Sequence, residues 1–217
     1  MKPSKNLSSR ARLSEVFPPE SIRVGLEQHS KSSVNIELVH HAAALGYLAR
    51  QEEGPIVTAI LEREDLGSTA LGHGIALPHC QCRSLERSVG VVGLLRRGIP
   101  FDAADGEPVD KVFLTLVPAK SPNHSLDVLG RLVALGQNKG LRLLLGGCQT
   151  AAHVTAFLDE LDQPFVGRID ELARRSLTWL ERDRLEPRSE LAVFGLVQEE
   201  TRQRDREIKR SSNPRWL

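Results

Sequence analysis

No stretch of this 217-residue chain strings together the roughly 18 apolar residues that a membrane-spanning helix requires. The basic opening MKPSKNLSSRARLSEVF has no apolar run of signal-peptide character behind it. Membrane insertion is therefore excluded, and a soluble cytoplasmic protein is expected. Charge of one sign is also missing. The 29 Lys and Arg stand against 28 Asp and Glu, a formal net charge of +1, which gives no reason to expect nucleic acid or an acidic membrane surface as partner. Cysteine is scarce and odd in number, at three, so reduced thiols rather than a disulfide framework are expected. Neither GxGxxG nor GxxxxGK[ST] occurs, and no repeat of fixed period is visible, which sets aside the nucleotide-loop and solenoid classes.

What is present is enough apolar sequence, 40%, for one sizeable core. Residues 1–12 are polar and basic without periodicity, predicting a flexible N-terminus, and the domain proper runs over 13–163. Leu38, Val39, Ala42, Ala43, Leu45 and Leu48 recur at helical spacing, predicting a helix over 34–49 with Ser33 as N-cap. A second helix is bounded by Pro55 in its first turn and by Gly67 after its last, with Arg63 near its C-terminus. Strands are predicted over 75–78, 89–95 and 109–117. Two further helices follow, over 125–135 and after Thr150, and 141–145 between them reads as a strand or a helical turn. Helices flanking a central set of strands predict an α/β (α+β) sandwich. Beyond Pro164 the character changes: residues 164–217 read as a charged extension with one amphipathic helix on Ile169, Leu172, Ala173, Ser176, Leu177 and Leu180, then a disordered tail.

Chemistry concentrates in REDLGSTALGHGIALPH, residues 63–79. Gly72 and Gly74 are free to take positive φ and expose backbone, which makes them phosphate-binding candidates, while Pro78 holds Leu77 extended and fixes the direction in which His79 leaves the strand. A neutral imidazole nitrogen is a competent nucleophile near neutral pH. An N-phosphoryl product needs donors that neutralise its charge. Arg63, upstream, and Thr69, in the intervening loop, are of the right type if the loop folds back. Taken alone, His79 reads first as a strand-end histidine with a structural hydrogen bond, and Arg63 equally as a helix C-terminal cation.

These residues resemble the enzyme IIA component, type 2, of the bacterial phosphoenolpyruvate-dependent phosphotransferase system, the fructose, mannitol and nitrogen-regulatory class. The resemblance covers residues 13–163 and rests on REDLGSTALGHGIALPH, GIPFDAADGEPVDKVFLTLVP and NHSLDVLGRLVAL in that order. It implies a mixed sheet sandwiched between helices, and phosphorylation of His79 by the phosphocarrier protein HPr without a further cofactor. It also implies phosphate-proximal roles for Arg63 and His124, and onward transfer to a IIB protein or a regulatory target. The opening LSEVFPPESIRVGLEQHSK looks more like the nitrogen-regulatory branch than the mannitol one. His73, the run Cys80-Gln81-Cys82 and the C-terminal extension depart from the common pattern.

Other readings stay in view. A purely regulatory module would use the charge of a phosphoryl group on His79 as a switch, and a degenerate member would no longer be phosphorylated. A metal site drawn from His73, His79, Cys80 and Cys82 is disfavoured, because adjacent strand residues point to opposite faces and Cys-x-Cys is not structural zinc spacing. His40 and His41, on the first helix, read as a solvated or half-buried pair.

Overall fold

The computed structural model describes residues 12–120 and 122–162, with the backbone alone over 122–125. The predicted N-terminal segment and the predicted extension with its amphipathic helix lie outside the described residues. A short helix, α1 (Leu13–Val16), and a single 3₁₀ turn lead into strand β1 (Ile22–Leu26). Helices α2 (Lys31–Ala44) and α3 (Glu53–Asp65) follow. Five strands come next: β2 (Ala70–Gly72), β3 (Ile75–Ala76), β4 (His79–Cys82), β5 (Val89–Ile99) and β6 (Val109–Pro118). Helices α4 (Pro122–Gln137), α5 (Lys139–Gly146) and α6 (Ala151–Asp162) close the domain.

The sheet runs β1-β5-β6-β3-β2, with β4 beside β6 on the flank that also carries β3. It is mixed: β1 pairs parallel with β5, β5 antiparallel with β6, and β3 and β4 parallel with β6. Strand alternation sends Leu114 and Leu116 to one face, where they join Val34, Leu38, Ile56 and Ile60 of α2 and α3. The opposite face carries Phe113 and Thr115. There Phe17 stacks edge-on against Phe113 with ring centroids 5.7 Å apart. The expected sandwich of helices about a mixed sheet is what forms.

Several boundaries shift for identifiable reasons. Helix α2 begins three residues earlier than expected, because Ser30 rather than Ser33 is its N-cap. The Ser30 side chain accepts from the Ser33 N–H, and the Ser33 hydroxyl accepts from the Ser30 N–H, a reciprocal capping box. It ends at Ala44, where Gly46 takes φ +75° just beyond. The 141–145 ambiguity resolves to helix, since the Asn138 side chain caps α5 at the Leu141 N–H. Thr150 caps α6 as expected, accepting from the His153 N–H. The strand predicted over 75–78 does not end at His79. Its register on β6 advances evenly from Ala76↔Val112 to His79↔Thr115 and on to Cys82↔Pro118. Pro78 removes one ladder donor without ending the pairing: its carbonyl accepts from the Thr115 N–H at 2.9 Å.

Candidate functional site

His79 stands where the sheet edge opens. Beside it, β2 and β3 form a hairpin through His73 and Gly74, both at positive φ (54° and 77°), the pattern of a type I′ turn. The last rung of this hairpin is Leu77 N–H to Thr69 C=O at 3.0 Å. Past that rung no described residue pairs with the outer edge of the strand. The first edge group without a ladder partner is the Leu77 carbonyl, and the imidazole of His79 turns back to it, Nδ1 to oxygen at 3.0 Å. A carbonyl only accepts, so Nδ1 carries the proton and Nε2 holds the lone pair of the neutral ring. Nε2 makes no hydrogen bond to any described residue, and the ring is half-buried. The side chain is therefore a fixed tautomer presenting a nucleophilic nitrogen from a strand edge.

Behind it lies a hydrogen-bonded chain that sequence inspection does not single out. Glu64, in the last turn of α3 and only 3% exposed, accepts from Thr69 twice: from its N–H at 2.9 Å and from its hydroxyl at 2.6 Å. Thr69 in turn holds Leu77, and Leu77 holds His79. The end of α3 is thus tied, through one loop residue and one strand residue, to the orientation of the imidazole. The signal for Glu64 is its place five residues before Thr69 across Gly67, legible only once the loop is known to fold back.

The structure redistributes the other expected site residues. Arg63 donates to the Gly67 carbonyl at 2.9 Å, closing the C-terminus of α3. One of its five guanidinium donors is spent there. Thr69, expected as a phosphate donor, has its single hydroxyl proton committed to Glu64, and so acts here as a loop staple. Gly72 and Gly74 do adopt positive φ, 87° and 77°, but they do not line a phosphate cradle. A Cβ at Gly72 would sit 2.6 Å from an Asp105 carboxylate oxygen, and one at Gly74 equally close to Asp110. Asp105 and Asp110, the latter ion-paired with Lys111 at 2.6 Å, fill the space a phosphate would need. His124 falls in the first turn of α4 by its backbone position, and its side chain lies outside the described residues.

The histidine-cysteine set is not assembled either. Cys80 and Cys82 pack with the α2–α3 core on the face opposite that of Thr115, the register partner of His79. His73 lies instead 3.8 Å from both Asp105 and Glu107. These three are exposed, and their ligand atoms fall within 4.8 Å of one another; no ion is assigned to them. Hydrogen bonds from the His73 and Glu107 backbone N–H groups hold the Asp105 carboxyl below the usual range. His40 pairs with Glu53 at 2.9 Å and His41 with the Glu20 carbonyl at 2.9 Å, both at the surface.

A mixed sheet between helical layers, with one tautomer-fixed histidine at an open sheet edge, defines a histidine-presenting α/β domain. Residues 15–161 match the family model described as phosphoenolpyruvate-dependent sugar phosphotransferase system, EIIA 2, and the chain belongs to that family, a phosphocarrier component of the system. It is 34% identical to a nitrogen regulatory protein of Bradyrhizobium diazoefficiens over 67% of this chain and 94% of that one. A nitrogen regulatory protein of Pseudomonas aeruginosa is 31% identical over 64% of this chain and 90% of its own. Among solved structures, the nitrogen regulatory protein IIA-Ntr of Neisseria meningitidis superposes with TM-score 0.62 at 29% identity, covering 68% of this chain and 99% of that one. The mannitol IIA of Escherichia coli in complex with phosphorylated IIB shares the fold, with TM-score 0.54 at 19% identity, over 65% of this chain and 95% of that one. Among the described residues no helix is long and apolar enough to cross a membrane.

Proposed function

We propose that the chain takes a phosphoryl group onto Nε2 of His79 from the phosphohistidine of an HPr-type phosphocarrier. The observation that carries this is the Nδ1–H bond to the Leu77 carbonyl, which leaves Nε2 as the attacking atom. The Nε2 lone pair forms the new N–P bond as the donor's N–P bond breaks, and that electron pair returns to the donor's ring. Charge grows on the His79 ring during the step. Its Nδ1–H bond to Leu77 thereby becomes charge-assisted and tightens in the transition state, where strengthening accelerates the reaction. The remaining donors of Arg63, and His124 at the start of α4, are the candidates to steady the phosphoryl oxygens, and catalysis is positioning and electrostatics.

The test is incubation with labelled phosphoenolpyruvate, enzyme I and HPr. Wild-type chain takes up acid-labile label and His79→Ala does not. An unlabelled wild type, or a labelled His79→Ala chain, refutes the assignment.

A regulatory destination for the phosphoryl group is favoured by the relatives named as nitrogen regulatory proteins. In this reading the charge on His79 alters contacts with a regulatory target. The alternative, onward transfer, is suggested by the IIA–IIB pairing of the mannitol system. A panel of IIB proteins separates the two: dephosphorylation by any one at a rate near that of loading rules out a purely regulatory role.

A further inference from the structure

Two nucleophilic side chains immediately after His79 have no part in the chemistry above. Cys80 and Cys82 are two apart on β4, so both project from one face. Cys80 is half-buried and Cys82 is 3% exposed. The Cys80 thiol donates to the Gln81 carbonyl at 3.5 Å. The neighbouring Cys82 draws Cys80 below the ordinary thiol range, against burial, and Cys80 together with burial holds Cys82 above it. An attacking thiol near the surface backed by a protonated buried partner is the arrangement of a reactive cysteine with its resolving cysteine.

The strand that carries them is held along one edge. β4 is four residues long and, among the described residues, pairs only with β6. Its ladder runs from the Thr115 N–H to Pro78 carbonyl bond at 2.9 Å to the Ala119 N–H to Cys82 carbonyl bond at 3.0 Å. Residues two apart in a strand are separated by about 6.6 Å, whereas disulfide-bridged Cβ atoms lie about 3.8 Å apart. Closing a disulfide here requires β4 to shorten and bend, and the residue at the start of the bend is His79. Strained bridges of this kind are readily reduced, as a reversible signal requires.

We propose that Cys80 and Cys82 form a dithiol oxidised by hydroperoxides, and that its disulfide bends β4 and withdraws His79 from phosphoryl transfer. In the first step the Cys80 thiolate attacks the peroxide oxygen, giving a sulfenic acid and releasing hydroxide, which takes up the thiol's proton as water. In the second, the Cys82 sulfur displaces the sulfenic oxygen as water and forms the S–S bond. Two thiols and one hydrogen peroxide give one disulfide and two waters. The loss of transfer rests on the phosphoryl-carrier reading of His79; the disulfide does not.

The experiment treats the full chain with stoichiometric hydrogen peroxide and reads three quantities. Free thiols fall from three to one, leaving Cys148, and peptide mapping places the bridge between Cys80 and Cys82. The ¹⁵N shifts of the His79 ring, which report its bond to Leu77, move on oxidation whether or not the residue is ever phosphorylated. Labelling through HPr drops about a hundredfold, as expected for a displaced nucleophile, and dithiothreitol restores it. In Cys82→Ala the oxidation stops at a Cys80 sulfenic acid that dimedone traps, and Cys80→Ala/Cys82→Ala labels normally with or without peroxide. Three intact thiols, a bridge to Cys148 or between chains, or a mapped Cys80–Cys82 bridge with ring shifts and labelling unchanged overturns the proposal. If the reduced wild type takes no label, the carrier reading fails, and the mapped bridge and ring shifts alone decide the dithiol.

Discussion

Replacing Glu64 by alanine tests whether the end of α3 sets the geometry of the nucleophile. The carboxylate receives two short bonds from Thr69 in a site that is 3% exposed. Hydrogen bonds to a charged group contribute about 1.5–3 kcal/mol each, and the alanine variant loses both while leaving the Thr69 N–H without its acceptor. A cost of about 3–5 kcal/mol follows, against which must be set the desolvation of a buried carboxylate that the variant no longer bears. For a domain of this size the net loss lowers the melting midpoint by roughly 10 °C.

Glu64→Gln separates charge from shape. The amide oxygen still accepts from the Thr69 N–H, and the threonine hydroxyl can turn to accept from the amide nitrogen, so neutral bonds of about 0.5–1.5 kcal/mol replace the charged pair. Melting followed by circular dichroism and labelling of His79 through HPr, measured well below each variant's own midpoint, give the two readouts. The alanine variant labels on the order of ten to a hundredfold more slowly even while folded, because the Leu77 carbonyl that orients the ring is no longer held. Glutamine lies between alanine and wild type in both. If Glu64→Ala melts with the wild type, or melts early yet labels at the wild-type rate, the relay from α3 to His79 does not exist.

Further expectations follow from the same packing. Gly72→Ala puts a side chain at φ +87° against Asp105, which must then release the His73 N–H; about 1–2 kcal/mol is lost from the backbone conformation alone, measurable by urea unfolding. Gly90→Ala drives a methyl into the ring of Phe17, which a Cβ would approach to 2.1 Å, and loses about 1–3 kcal/mol by overpacking in the same assay. Thr115→Val removes a fully buried hydroxyl that has no hydrogen-bond partner among the described residues, so the domain gains about 1 kcal/mol while His79 labels as before. The Asp162 carboxyl, raised by burial but lowered more by bonds from Ser14, Leu13 and Arg131, lies below its ordinary value. Its contribution is complete above the unfolded value near ~3.9 and is lost as pH falls through the lower folded one. Urea titrations show a steep acid limb for wild type and a flatter one for Asp162→Ala.

The sequence exposes those parts of the fold whose determinants are local. Pro55 and Gly67 bound α3 because each acts on its own turn, and Thr150 caps α6 for the same reason. Strand β1 escapes notice because Gly25, at φ +79°, breaks its alternation and shifts its register on β5. Strands β2 and β4 are too short to show a period. In the helix that starts at Lys31, Ser30 and Ser33 are both sound caps by type; which one leads is decided by a reciprocal pair of bonds that only the folded turn supplies.

The candidate site divides along the same line. His79 is legible because proline and glycine frame it within eight residues. The left-handed backbone of Gly72 and Gly74 is legible too, but not its purpose, since Asp105 and Asp110, which fill the space a Cβ would need, arrive from a hairpin some 30 residues downstream. The tautomer of His79 belongs to neither category. It depends on where β2 begins: had Thr69 joined the strand, its N–H would have paired with the Leu77 carbonyl instead of with Glu64, and Nδ1 would have lost its acceptor. In a sheet edge of this kind the end of one strand chooses which nitrogen of the neighbouring histidine is the nucleophile. A change that lengthens β2 without touching His79 is therefore expected to silence it.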